Sequence, residues 1–264
     1  MSKLATMTPG AFLRQPTDGS IKHEADLWGF RSLHGGLALG VLVSAMEEHA
    51  PDAQLRSATA RYDRPITDEI RIETSVSRAG RSVTSLAANA VSDGGIHVHA
   101  TAIFAESRPG SWPSFAPPAP AAPPPQDCDM FAAPPSFVPI LQHLEVRTVG
   151  PNLPYTGGAE PELTAWVRLI EDDDPPDASR LAFLVDALAP SYAAVLSQLS
   201  PVPTIELSLR PSGNLAAASS PWVLLRARSR AVGSDGWIDE EIDAWGPDGA
   251  HLGSAQQLRL VRAA

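Results

Sequence analysis

Eight prolines fall between Pro109 and Pro125, in the stretch RPGSWPSFAPPAPAAPPPQDCDM. Proline fixes φ and lacks a backbone N–H, so neither a helix nor the interior of a sheet continues through such a run. The segment favours extended polyproline conformations and acts as a semi-rigid spacer. It divides the 264 residues into halves of similar length. The boundaries read from it are 1–106 for a first unit, 107–134 for the connector and 135–264 for a second unit.

The two halves repeat one order of elements. The first opens on an apolar helical segment, LHGGLALGVLVSAMEEHA, with Gly35 and Gly36 at its start. Four segments with period-two alternation follow, at Gln54–Asp63, Asp68–Arg78, Ser82–Ser92 and Ile96–Ala105. Such alternation marks strands with one buried face, and Asp93-Gly94-Gly95 suits a tight hairpin turn. In the second half a strand, ELTAWVRLI, leads to a helix expected over Ala178–Leu199 with an interruption near Pro190. Strands are then expected at Thr204–Leu209, Trp222–Val232, Trp237–Trp245 and His251–Arg262. The turn markers recur, Arg64-Pro65 as Arg210-Pro211 and Asp93-Gly94 as Asp248-Gly249. This order reads as an internal duplication. A helix that is apolar nearly all round needs cover on most sides, and a curved antiparallel sheet wrapped around it supplies that cover. Two such units side by side pair their sheets and hide two edges. The fold class is α+β.

Within the second helical segment, LAFLVDALAP sets Asp186 among eight apolar residues. Burying an unpaired carboxylate costs several kcal/mol, so Asp186 either reaches water, caps a helix, or is held inside by partners for a chemical purpose. Gly35 and Gly36 pose a similar choice. Helix-start amides and the helix dipole attract negative charge, and glycine also permits close packing. His34 beside them is a ligand contact or a satisfied structural histidine.

Composition narrows the classes. A net charge of −10 disfavours nonspecific nucleic-acid binding, which depends on neutralising phosphates. The lone Cys128 excludes an intramolecular disulfide and a cysteine-rich metal cage. No apolar run reaches the roughly 20 residues of a membrane-crossing helix, and no secretory signal is apparent at the N-terminus, so a cytoplasmic location is expected. His97 and His99 share a strand face without an obvious third ligand, so no metal site is expected. EDDDPPD reads as a solvated acidic loop.

These stretches resemble the double hotdog acyl-CoA thioesterases, meaning the type II acyl-CoA thioesterase family and its actinobacterial thioesterase-like relatives. The resemblance runs through HGGLALGVLVSAM, RYDRPI and VSRAGRSVTSLAANAVSDGGIHVHATAIF, then ELTAWVRLI, LAFLVDALAP, PTIELSLRP and GSAQQLRLVR. It implies a double hotdog, two tandem units each with a central helix wrapped by an antiparallel sheet, that hydrolyses an acyl-CoA to a free acid and CoA without a cofactor. It also implies association into homo-oligomers. The family's aspartate, threonine and glutamine fall on Asp186, Thr204 and Gln257. Gln256 precedes Gln257, and strand neighbours face opposite sides, so only one of them enters a site. In this scheme Asp186 activates water, Thr204 and Gln257 hold it by hydrogen bonds, and Gly35 and Gly36, with His34 nearby, receive the thioester carbonyl. Arg61, Arg64, Arg78 and Arg81 are candidates for the CoA phosphates. Two other readings stand beside this one. A hotdog hydratase or dehydratase would pair Asp with His in a short loop motif, which is missing around Asp186. A non-catalytic acyl-thioester binding protein is suggested by the doubled glutamine and by Leu207, rather than histidine, after Glu206.

Overall fold

The structure, a computed structural model, describes residues 7–107, 110–134 and 136–262. Residues 108, 109 and 135, which bear on the expected connector boundaries, lie outside it, as do the chain ends. Twelve strands form one antiparallel sheet: β1 (Ser20–Ile21), β2 (Gln54–Tyr62), β3 (Ile70–Ala79), β4 (Val83–Ser92), β5 (Gly95–Ala105), β6 (Asp129–Met130), β7 (Leu144–Val149), β8 (Glu162–Leu169), β9 (Thr204–Pro211), β10 (Val223–Val232), β11 (Trp237–Trp245) and β12 (His251–Leu260). The spatial order is β1-β3-β4-β5-β2-β9-β12-β11-β10-β8-β7-β6. Read outward from the β2–β9 junction, each half gives the same sequence of positions, β5-β4-β3-β1 on one side and β12-β11-β10-β8 on the other. That is the pseudo-twofold order a tandem duplication produces. β2 and β9 join the halves in register, Ala60 opposite Leu207 and Arg61 opposite Glu206, so each unit closes the other's edge.

Among the described residues three α-helices accompany the sheet: α1 (Pro9–Leu13), α2 (Gly35–Glu47) and α3 (Ala178–Leu184). α2 is buried along most of its length, from Gly36 through Val43 and again at Ala45 and Met46. Its face toward α3 carries Gly36, Gly40 and Ser44. A Cβ on Gly36 would sit 2.7 Å from the Phe183 carbonyl oxygen, and one on Gly40 would sit 2.7 Å from that of Ser179. The helix backbones touch because neither glycine has a side chain. Ser44 and Ser179 close the stripe with an Oγ–Oγ hydrogen bond of 2.8 Å.

The helix expected over Ala178–Leu199 is corrected to seven residues, followed by a separate 3₁₀ turn at Ser191–Ala194. Asp177 caps the start, its carboxylate accepting from the Arg180 amide at 2.7 Å. At the other end the amides of Asp186 and Ala187 bond to Phe183 and Leu184, three residues back. This tightened turn takes the chain out of the helix, and Pro190 prevents its resumption. The turn delivers the Asp186 side chain to the start of α2.

The proline-rich segment lies along the outer face of the second half of the sheet. The indole N–H groups of Trp166 and Trp245 donate to the Pro123 and Pro117 carbonyls at 2.8 and 3.0 Å. Trp166, Leu224, Trp245 and Cys128 pack beneath it as a small core of their own. Burial pushes the Cys128 thiol above its ordinary range, with Asp127 adding to the effect, which leaves it a poor nucleophile. The segment is therefore more than a spacer, since its backbone carbonyls satisfy two buried indoles.

Glu47 ends α2 half-buried, where the helix dipole disfavours negative charge. Burial, with the Asp177 carboxylate as a second push, raises it from 4.5 to about 7. A carboxyl raised in this way contributes stability where it is protonated, below its unfolded value, and loses that contribution as pH climbs through about 7. Glu47→Gln is thus expected to leave the melting temperature nearly unchanged at pH 4.5 and to raise it at pH 8. Equal shifts at both pH values would mean that Glu47 is ionised throughout.

Among the described residues no helix is long and apolar enough to cross a membrane.

Candidate active site

Asp186 is buried, and both carboxylate oxygens are held by donors. Oδ2 accepts from the Gly36 amide at 2.8 Å, and Oδ1 accepts from Gln257 Nε2 at 2.9 Å. Gln257 is buried on the inner face of β12, while Gln256 points out. Period-two alternation thus settles which glutamine meets Asp186. Thr204 opens β9, and its hydroxyl donates to Gln257 Oε1 at 3.1 Å. The three dispersed residues singled out in the sequence form one connected cluster.

Two further residues complete it. Arg259 lies opposite Thr204 across β12 and β9. Its Nη1 donates to Thr204 Oγ1 at 2.9 Å, and its Nη2 stands 3.5 Å from Asp186 Oδ1. Its Nε donates to Glu240 Oε2 at 2.6 Å. Glu240 sits on β11 opposite Gln257, fully buried, and its other oxygen accepts from the Ser191 amide at 2.5 Å. Two buried carboxylates therefore share one guanidinium, and each of their oxygens accepts at least one hydrogen bond, which makes such burial tolerable. Sequence reasoning missed both residues. The available signal was strand parity: Glu240 shares the inward face of WIDEEIDAW with Ile238, Ile242 and Ala244, and Arg259 shares that of Gln257.

The HGG segment meets this cluster from the other half of the chain. The Gly36 amide is committed to Asp186, so it does not face the cavity as a free donor, which departs from the paired-amide reading of the two glycines. Gly35 does line the cavity, and as the first residue of α2 its amide has no partner within the helix. A Cβ on Gly35 would lie 3.0 Å from Asp186 Oδ2 and 3.4 Å from the Tyr62 ring. The Tyr62 hydroxyl donates to the Gly35 carbonyl at 2.9 Å. Burial and the Asp186 charge hold that phenol well above its ordinary range. His34 Nδ1 is buried, lacks a hydrogen-bond partner, and stands 3.7 Å from Asp186 Oδ2. Burial lowers the His34 pKa despite the neighbouring carboxylate, which keeps the ring neutral.

These groups open onto a cavity of about 760 Å³ bounded by both halves. Its walls are largely apolar, with Phe30, Leu33, Ile66, Phe131, Phe137 and Leu163 among them. Phe30 and Phe137 meet edge to face with ring centroids 5.1 Å apart. Of the four arginines proposed for CoA phosphates only Arg64 reaches the cavity, together with Arg31 and Arg262, which the sequence did not single out. Arg81 lines a separate shallow depression instead. His97 and His99 are engaged elsewhere, with Pro65 O and Ser92 on one ring and Asn89 on the other. Ser254, His251 and Asp243 also cluster, on the strand ends β11 and β12, but serine and aspartate both approach Nε2 of the histidine. A nucleophile relay requires them on opposite ring nitrogens.

Comparison with known proteins agrees with this architecture. No curated protein matches the chain in sequence. Among solved structures, a conserved protein of unknown function with a hot dog fold from Alicyclobacillus acidocaldarius superposes with a TM-score of 0.86 at 23% identity, over 96% of this chain and 97% of that one. An acyl-CoA thioesterase II from Mycobacterium marinum gives a TM-score of 0.71 at 22% identity, over 87% of this chain and 89% of that one. These likenesses establish the fold as a double hotdog. Residues 25–105 match the model of the acyl-CoA thioesterase N-terminal domain, and residues 113–261 match that of the C-terminal domain. Together these matches take in most of the chain, the buried cluster and the cavity, and the chain belongs to the acyl-CoA thioesterase family.

Proposed function

We propose that the protein hydrolyses acyl-CoA thioesters, with Asp186 as the general base that activates water. The observation that carries this reading is the placement of Asp186 on the wall of an apolar cavity with both oxygens held by donors. A carboxylate so held is fixed in orientation while the acyl chain excludes bulk water. Oδ2 keeps a lone pair beyond its bond to Gly36 and can accept from the attacking water there. Asp186 takes a proton from that water as its oxygen attacks the thioester carbonyl carbon. The developing oxyanion is met by the Gly35 amide at the start of α2, where the helix dipole also favours negative charge. Collapse of the tetrahedral intermediate breaks the C–S bond, and the proton on Asp186 passes to the departing thiolate. The products are a free acid and CoA. The apolar cavity takes the acyl chain, and Arg31, Arg64 and Arg262 offer the polyanionic end of CoA a cationic rim.

A panel of saturated acyl-CoAs of increasing length, followed by release of free thiol, tests this reading. Turnover is expected to peak at the lengths that fill the cavity. Saturable binding of the same acyl-CoAs with no thiol released would instead identify a non-catalytic acyl-thioester binding protein.

A further inference from the structure

We propose that Arg259, clamped by Glu240, is a positioning residue that sets the direction of hydrogen bonding through Thr204 and Gln257, so that Asp186 faces donors alone. The proposal rests on the hydrolytic reading above. Its force comes from what each group is able to do. A guanidinium only donates. Thr204 Oγ1 accepts from Arg259 Nη1 at 2.9 Å, so its single proton is free for the Gln257 Oε1 atom 3.1 Å away. With its carbonyl turned to Thr204, the Gln257 amide presents its NH₂ end to Asp186 Oδ1 at 2.9 Å. Without the arginine, the threonine hydroxyl can turn to donate elsewhere and the glutamine amide can flip, setting a carbonyl against the carboxylate. Glu240 prevents Arg259 from swinging fully onto Asp186. It takes Nε at 2.6 Å and is itself tied to the Ser191 amide, which leaves the guanidinium 3.5 Å from Asp186 Oδ1. Asp186 is thereby compensated electrostatically, while the direct bond to Oδ1 stays with Gln257.

The charged and titratable groups around Asp186 are Arg259 on β12, His34 before α2 and Tyr62 on β2, with Glu240 behind Arg259 on β11. Of these, Arg259 is the cation closest to the carboxylate, so its removal should move the acid limb of the kcat profile to higher pH.

The experiment measures kcat, KM and the kcat–pH profile on the acyl-CoA that the wild type hydrolyses fastest. The variants are Arg259→Met, Thr204→Val, their combination, and Arg259→Met paired with Glu240→Gln, which removes the Glu240 charge that the single variant would leave unpaired, in case the single variant fails to fold. Loss of one charge-assisted hydrogen bond predicts a fall in kcat of about 10- to 100-fold for Arg259→Met, with KM little changed and the acid limb displaced upward. Because arginine acts through threonine, the combined Arg259→Met and Thr204→Val variant should lose less than the product of the single losses. A variant with lower melting temperature but unaltered kcat and pH profile makes Arg259 a core ion pair and overturns the proposal. Fully multiplicative losses overturn it as well. Asp186→Asn and the wild type distinguish the two levels. No thiol released by the wild type ends the hydrolytic reading. An Asp186→Asn variant that turns over like the wild type removes Asp186 as the base and the positioning role with it. Inactivation of that variant alongside multiplicative Arg259 and Thr204 effects leaves the hydrolytic reading standing and removes only the positioning role.

Discussion

Asp186→Asn is expected to lower kcat by about 10²- to 10⁴-fold, the usual contribution of a positioned general base, with KM for acyl-CoA little altered. Asparagine preserves the shape but lacks the charge and offers one acceptor where two are needed. The Gly36 amide and the Gln257 amide both point donors at residue 186, so whichever meets the new NH₂ group loses its bond. The stability cost is that of one unsatisfied buried donor, about 1–3 kcal/mol. Folding should survive, because Arg259 remains paired with Glu240. A variant that folds, binds acyl-CoA and releases no thiol is the expected result. Turnover at the wild-type rate would move the chemistry away from Asp186 and leave that residue as a tether between α2 and α3.

The second large effect is structural. Gly36→Ala adds one methyl group, placed 2.7 Å from the Phe183 carbonyl oxygen and 2.8 Å from the Asp186 Cβ. Real Cβ contacts are not that short, and the first obstacle is backbone rather than a flexible side chain, so α2 and α3 must separate. Overpacking of this kind costs about 1–3 kcal/mol, only partly offset by the higher helix propensity of alanine, about 1 kcal/mol. The separation also displaces Asp186, since the Gly36 amide that anchors it moves with the helix. A drop in melting temperature together with lost thioesterase turnover is expected. Unaltered stability and activity would show that the two helices tolerate a wider spacing.

Much of this was legible from the residues. Alternation at period two placed β2–β5 within a few residues, and the repeat of that order placed β9–β12 equally closely. The repeated order of helix and meander led to the expectation of two units with paired sheets, which the β2–β9 junction realises. Asp186 stood out because a carboxylate in an apolar run is costly unless it is paired. Other elements carried weaker signals. β1 and β6 are two residues each, too short for any periodicity to register. β7 was not assigned from the sequence, and pairing with β8 makes it a strand. The second helix was overextended because residues 187–189 before Pro190 and much of 191–199 after it are helix-compatible, while the turn that ends α3 depends on Asp186 reaching α2.

The sequence by itself determined the duplicated α+β architecture and the aspartate set in an apolar run, because local periodicity and the cost of burying charge act on short stretches of chain. Thr204 and Gln257 were singled out only by the family resemblance. Tertiary structure alone decided how those residues are used. The Gly36 amide meets Asp186 across 150 positions of sequence. Arg259 and Glu240 become part of the same network only because β9, β12 and β11 lie side by side. The close approach of α2 and α3, set by two absent side chains, brings the first half's helix start onto the second half's carboxylate. Contacts between distant segments depend on packing geometry, and no single stretch of residues encodes that.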